Sequence, residues 1–566
     1  MGEATTRFVE RSLCPLGKGV QAQPEFEKSK ALCGAGILFM LPSLLAQGLL
    51  RAKEAFRLPA SHYYGLESVV LTLAFMALAR IKNPEQLKQC KPGEIGRLIG
   101  LDRIPEVRCL REKIKFISEQ ERSVHFNNLL IDQWYRDDKD DDTGFLYVDG
   151  HVRIYYGYKA NLPSKFISRQ KLCLSATSEF WVNDAKGMPV MMVMGELSEK
   201  LQTVIEHQII PRLMEAKLIS ADIENQKEPQ CTLVFDREAY EPAFFQRLWD
   251  SYRIAIITYR KNVKDQWNEE RFEGVDVQVL NHIINMDLCE QEVELGGYRM
   301  REIRRLGDSG HQTAVITTHP DLQTKQVAGR MFARWSQENF FRYLIQDYDF
   351  DKMISFGVET IDMEKTVVNP QYRKATYKLK KLREKKQRLE SKFYPLVEQV
   401  MDSELEIIPR ITDKQMEYKQ MLDEFIQEEK LLVTERKKIQ PRIKLSQMPE
   451  EQRYNKLKTE SKIFMNVIKM ICYRGESAVA SLLSPYLANA DKEKRMVVKQ
   501  IIQANADVIP DYNNNTLTVV LYSLSANRYN QAADELANLL NQTETTFPGT
   551  ELRMVFKISA NLDCDK

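Results

Sequence analysis

Three acids sit where chemistry could gather. Asp149 follows an apolar run in LYVDGHVRIYYG (residues 146–157), Asp236 ends the compact run CTLVFD (231–236), and Glu338 lies in RMFARWSQENFFRYL (330–344). An acid at a strand end is usually a turn former, bonding nearby amides, with a glycine such as Gly150 supplying the awkward dihedral. Carboxylates brought together behave differently, because they repel each other unless cations neutralise them. Oxygen donors of this kind suit the hard ions Mg2+ or Mn2+. Two such ions about 4 Å apart activate a water or a 3'-hydroxyl and stabilise the leaving oxygen of a phosphodiester during in-line displacement. This chemistry needs no serine, cysteine or histidine nucleophile, and the chain, with seven histidines, carries neither a G-x-S-x-G elbow nor a Walker loop.

Neighbouring residues have both a bland and a functional reading. His151, two positions after Asp149, faces the same side of an extended strand and either packs there or touches the scissile phosphate. Arg334 and Glu338 are one helical turn apart and share a face if the helix is continuous, with Arg330 and Arg342 at compatible spacing. These arginines either grip DNA phosphates or form an intrahelical salt-bridge row. Arg237 reads as a structural ion-pairing residue and Trp335 as core, while for Glu238 the bland reading outweighs a return to the acidic side.

The elements that must position these acids follow from the pattern. A chain of 566 residues exceeds one ordinary core, so two to four domains are expected. Its 81 basic and 79 acidic side chains leave the total charge uninformative about nucleic acid. Nine scattered cysteines without a CxxC pair suit reduced thiols better than a disulfide framework or zinc site. The apolar run 35–50, broken by Pro42 and Gly48, reads as a buried helix rather than a membrane span. The expected setting is therefore cytoplasmic, with no membrane partner.

Residues 1–140 read as helical, with a helix-turn-helix candidate over 91–118 and an acidic linker over 132–144. From 141 to 365 the expectation is α/β. Short strands over 145–148, 152–156 and 189–194, a helix over 197–216, a strand to Asp236, a helix over 244–252 and a strand over 254–259 give the element order of a ribonuclease-H-like core. A β-rich insertion at about 262–318 and one long helix from about 322 to 348 follow. Residues 366–445 read as two charge-rich, coiled-coil-like helical arms split by Pro409, and Arg373 to Lys392 on the first is either a solvated face or a DNA contact. Residues 446–566 read as a C-terminal helical and α+β region without assigned chemistry.

YVDGH (147–151), LVFDREAY (233–240) and RWSQENFF (334–341), with the β-rich stretch before the last, resemble the DDE transposases of bacterial insertion sequences, most of all the insertion-sequence family four group. The resemblance covers roughly residues 140–370. It implies Asp149, Asp236 and Glu338 as a metal-binding catalytic triad holding two Mg2+ or Mn2+ ions. It also implies double-stranded DNA, both transposon ends and target, as partner, and a homodimer or larger synaptic assembly that is nucleoid-associated when bound. The spacings of 87 and 102 residues leave room for the family's insertion. The group's Y-x2-R-x3-E-x6-K pattern keeps Arg334 and Glu338, but Met331 stands at the tyrosine position and Ile345 at the lysine position. Phosphate handling is therefore expected to fall to Arg330 or Arg342. The activity implied is DNA cleavage and strand transfer; the rivals are an inert transposase-derived DNA-binding protein and a ribonuclease-H-like nuclease without strand transfer.

Overall fold

The computed structural model describes residues 6–137, 144–167, 170–197, 199–223, 227–280, 282–348, 357–359, 361–402 and 408–559. The chain forms two compact units, one from Met1–Tyr156, Ser164–Phe356 and Lys458–Lys566, the other from Gly157–Pro163 and Gly357–Leu457.

The first unit is built on one large mixed sheet. Its strands are β1 (Phe145–Ile154), β2 (Leu172–Asp184), β3 (Pro189–Gly195), β4 (Cys231–Phe235), β5 (Ile254–Tyr259), β6 (Glu273–Val279), β7 (His282–Leu295), β8 (Tyr298–Leu306) and β9 (Gln312–Thr317). The spatial order runs β3-β2-β1-β4-β5-β9-β8-β7-β6, with the short strand Ser164–Ile167 also paired to β2. β1, β4 and β5 are parallel to one another. β2 and β3 join antiparallel on one side, and β9 joins β5 antiparallel on the other. β4 is buried along its whole length, as befits a central strand covered on both faces. Residues 273–317 thus extend the same sheet as an antiparallel meander.

Helices cover both faces. Leu146, Val148, Leu233, Phe235 and Ile256 point into the larger core with the helix segment Ile210–Glu215 and helix Pro242–Tyr252. The helix expected over 197–216 contains a π turn at Ile205–Ile209. The opposite face presents Phe145, Tyr147, Val234 and Ile257 to Val327, Ala328 and Met331 of helix Thr324–Phe332. Gly329 is needed here, because a Cβ would stand 2.5 Å from the Gln278 carbonyl oxygen of β6.

Two readings of the sequence require correction. The strands expected on either side of Asp149 are one continuous strand, β1, and Asp149 pairs across with Trp181 instead of turning the chain. Residues pairing with a distant strand outweigh the local turn preference of Asp-Gly. The single helix expected from 322 to 348 is interrupted: helix Thr324–Phe332 tightens into a 3-10 turn at Ala333–Trp335 before helix Ser336–Tyr348 begins.

The N-terminal and C-terminal stretches compact together, although their compositions suggested separate regions. Strand Ser29–Leu32 forms the edge of a sheet whose other strands are Ala506–Asp511, Thr516–Leu521 and Arg553–Ile558. Phe26 meets Phe547 edge to face, and Phe39 packs at a tilt against Phe556. Helix Glu460–Leu483 is buried along most of its length among the N-terminal helices and the sheet. The run 35–50 is buried as a 3-10 helix and a short helix, turning at Gly48 with φ +85°. Among the described residues no single helix is long and apolar enough to cross a membrane; Ala35–Ala46 and Leu49–Ala55 pass together but are bent by 61°.

The second unit contains two long antiparallel helices, Pro370–Asp402 and Ile408–Lys438. Leu379, Leu382 and Leu389 of the first are buried, and Arg383 and Lys386 ion-pair with Glu429 of the second at 2.7 and 3.2 Å. Pro409 falls in the first turn of the second helix, where its missing N–H costs nothing. At their base, Thr366–Val368 pairs with Arg442–Lys444.

Candidate active site

The parallel pairing of β1 with β4 ends at Val148 opposite Phe235. Asp149 and Asp236 are the next residue on each strand, so the register brings two carboxylates side by side on one face. It is the face on which Tyr147 and Val234 lie under helix Thr324–Phe332. Parallel neighbours in a sheet are about 4.8 Å apart, which puts two acids within mutual repulsion distance.

Arg334 stands between them. Its Nη1 is 3.8 Å from Asp149 Oδ1 and its Nη2 is 3.4 Å from Asp236 Oδ2. The 3-10 turn at Ala333–Trp335 carries this side chain, where a continuous helix was expected. Asp236 is further fixed by the Arg237 backbone N–H, which donates to its Oδ1 at 2.7 Å.

Burial pushes the Asp149 carboxyl up to about 6, against the opposing pull of the Arg334 guanidinium and the Gly150 amide; Asp236 and Glu238 add to the rise. The Glu238 Oε2 lies 3.3 Å from where a Cβ on Gly150 would stand, and Phe180 is 3.1 Å from the same point. A Cβ at Gly150 would thus crowd both side chains, which would have to give by a few tenths of an ångström. Tyr259, at the end of β5, joins the rim: burial raises its phenol, with Arg334 and Asp236 acting on it from nearby, and the Arg237 guanidinium stands 5.6 Å from its ring.

Helix Ser336–Tyr348 carries Glu338, whose side chain lies outside the described residues, as does that of Trp335. The course of the helix is set by Phe340, whose ring is 5.9 Å from that of Trp181, the cross-strand partner of Asp149. Directly opposed residues of an antiparallel pair share a face, so this helix crosses the face that bears Asp149. Its far end is tied down by Glu476, which is fully buried and accepts from Tyr343 Oη at 2.6 Å, Tyr348 Oη at 2.5 Å and Arg80 Nη2 at 2.8 Å.

The other candidates are placed as follows. Arg330 lies with its guanidinium 4.3 Å from the Phe145 ring, and its carbonyl accepts from Tyr147 Oη at 3.0 Å. Arg342 is exposed on its helix, with no contact to either aspartate among the described residues. His151 is half-buried and opposite Glu179 in the β1–β2 register. Glu179 itself is fully buried between Arg153, at 3.1 Å, and Lys462, which hold its carboxyl below the usual range despite burial. This buried cluster was missed on sequence, although Arg153 falls on the Asp149 side of β1 by simple alternation.

The helix-turn-helix candidate forms helices Pro92–Leu98 and Val107–Ser118. Its basic residues are largely matched: Arg108 with Glu112, Arg111 with Glu85 and Lys115 with Glu119, while Lys113 is buried. All described cysteines are free thiols.

Among the described residues no group of three histidine, cysteine or acidic side chains is arranged to hold a metal ion. Asp149 and Asp236 supply the carboxylate oxygens that a hard divalent cation needs, and the Arg334 guanidinium stands where such a cation would have to displace it. A comparison with curated proteins finds no match. A family model does match, under the description Transposase protein, over residues 2–560. Spanning nearly the whole chain, that match places the protein in this transposase family.

Proposed function

We propose that the chain is a DDE-type DNA transposase of a bacterial insertion sequence, most similar to the family four group, acting through a ribonuclease-H-like core. The strand order β3-β2-β1-β4-β5, with β1, β4 and β5 parallel, supports that core, and β6 to β9 correspond to the insertion. The observation that carries the reading is the register placement of Asp149 beside Asp236, joined by Arg334, on the face crossed by the helix bearing Glu338.

In this reading Asp149, Asp236 and Glu338 would hold two Mg2+ or Mn2+ ions, which activate the attacking oxygen and stabilise the leaving oxygen of the phosphodiester. The protein's own groups do the rest. Asp149, with its carboxyl pushed up to about 6, is ionised at neutral pH and ready to bind cations. Arg334 holds the two carboxylates in place until they are engaged, and then serves the scissile phosphate, as guanidinium geometry allows. Glu238 lines the site beside Asp149. Cleavage at the element's ends and joining of the freed 3'-hydroxyl are the same displacement with different nucleophiles, so one cluster performs both. Double-stranded DNA is the substrate, and two ends are processed in a dimer or larger assembly.

The test is incubation of purified protein with duplex DNA carrying the element's terminal repeats and with a second target duplex, in Mg2+ or Mn2+. The reading expects metal-dependent nicking at the ends and covalent joining to the target. Nicking without joining identifies a nuclease. Binding without nicking identifies an inert derivative, in which the Arg334 bridge is purely structural.

A further inference from the structure

The first long helix of the second unit carries far more positive charge than its partner neutralises. Between Arg373 and Glu390 there are nine basic and two acidic residues. Leu379, Leu382 and Leu389 fill the seam against the second arm. Measured from that seam, Lys374, Lys378, Lys381, Lys385 and Arg388 recur at alternating steps of four and three, so they form one row along one flank of the helix. All five are exposed.

The carboxylates within reach are few. Lys381 pairs with Glu384 at 2.9 Å, and Glu429 of the second arm is taken by Arg383 and Lys386. Among the described residues Lys374, Lys378, Lys385 and Arg388 meet no carboxylate at ion-pair distance. This contrasts with helix Val107–Ser118, whose exposed cations are each matched to an acid. A row of like charges unmatched by acids is poor for helix stability and suits a polyanion.

We propose that this flank of helix Pro370–Asp402 is a duplex-DNA-binding surface that contacts the phosphate backbone without reading sequence. At 1.5 Å per residue the row from Lys374 to Arg388 spans about 21 Å, with a cation roughly every 5 Å. Each strand of duplex DNA carries a phosphate about every 3.4 Å of helix axis, so a straight row of this length can meet the phosphates exposed on one face of a duplex. The proposal rests on the functional reading only in taking DNA as the partner; binding is read without chemistry.

The test compares full-length wild type with the variant Lys374→Gln, Lys378→Gln, Lys385→Gln, Arg388→Gln. Binding to a duplex of unrelated sequence is measured in EDTA across a salt series. Four lost phosphate contacts lower the slope of log affinity against log salt by about 3.6. The expected result is a slope smaller by three to four, weaker binding to every duplex, and recovery in the variant carrying arginine at all four positions. Circular dichroism and sedimentation show whether helix content and assembly state are retained. A folded glutamine variant with unchanged slope and affinity overturns the proposal, as does one that changes only self-association, which would assign the row to contact between copies. Failure of DNA cleavage with this salt signature intact would count against the catalytic reading alone.

Discussion

Asp149 sits where its ionisation is opposed by burial and by two other acids, and Arg334 offsets part of that cost. Because its carboxyl is raised to about 6 from an ordinary value near 4, the folded chain binds that proton more tightly than the unfolded chain does. Its stabilising contribution is therefore complete below about pH 4 and lost as pH rises through about 6. Asp149→Asn is expected to melt higher than wild type at pH 7.5, by about 1 kcal/mol after allowing for a side chain still 29 % exposed. The difference should close as pH falls from 6 to 4; thermal melts at several pH values check it. Arg334→Ala removes the cation between the acids, so the acid limb of the cleavage pH profile should move to higher pH and the rate fall at least roughly tenfold, with Arg334→Lys recovering part of the shift. Asp149 and Asp236 stood out in the sequence because each follows a run of buried apolar residues. The bridging by Arg334 did not, since it depends on a 3-10 turn inside what reads as one amphipathic helix. The placement of Glu238 over Gly150 depends on a close approach between segments almost 90 residues apart.

The helix that carries Glu338 is held by contacts that no local pattern reveals. Phe340 meets Trp181, and Tyr343 and Tyr348 converge with Arg80 on the buried Glu476 carboxylate. Asp347 pairs with Lys499 at 2.8 Å, adding a tie from helix Ala490–Gln503. Glu476→Gln replaces a charge that satisfies three donors in a dry site and should cost about 2–3 kcal/mol; a lower urea midpoint at unchanged m-value is the expected outcome. The strands were easier to read than this helix, because β4 and β5 are short unbroken apolar runs and the stretch 273–317 alternates. What alternation could not show was that β1 runs straight through Asp149, since the deciding pairing partners, Trp181 and Phe180, come from β2.

The first unit joins its N-terminal and C-terminal stretches in one core. Ser29–Leu32 pairs with Ala506–Asp511, and Phe39 packs on Phe556, so the front and the tail share one core. Composition could not show this, because pairing over more than 470 residues leaves no local trace. Truncation after residue 503 removes three of the four strands in that sheet and is expected to give insoluble protein. The arms should behave oppositely. The Asn369 backbone N–H donates to the Pro441 carbonyl at 3.0 Å, so replacing residues 371–440 by a four-residue glycine-serine linker should leave the main melting transition within a few degrees of wild type. Non-specific DNA affinity should drop in the same protein.

The central claim is that Asp149, Asp236 and Glu338 act as one unit. Residues that act together are non-additive, so each loss alone costs about as much as the loss of several. The decisive measurement is the rate of Mn2+-dependent cleavage of terminal-repeat DNA by Asp149→Asn, Asp236→Asn, Glu338→Gln and the double aspartate variant, with DNA binding checked for each. The account predicts that every single variant binds DNA but cleaves at least about a thousandfold more slowly, and that the double variant is no worse. A single variant that cleaves at near the wild-type rate, or losses that multiply in the double variant, would contradict it.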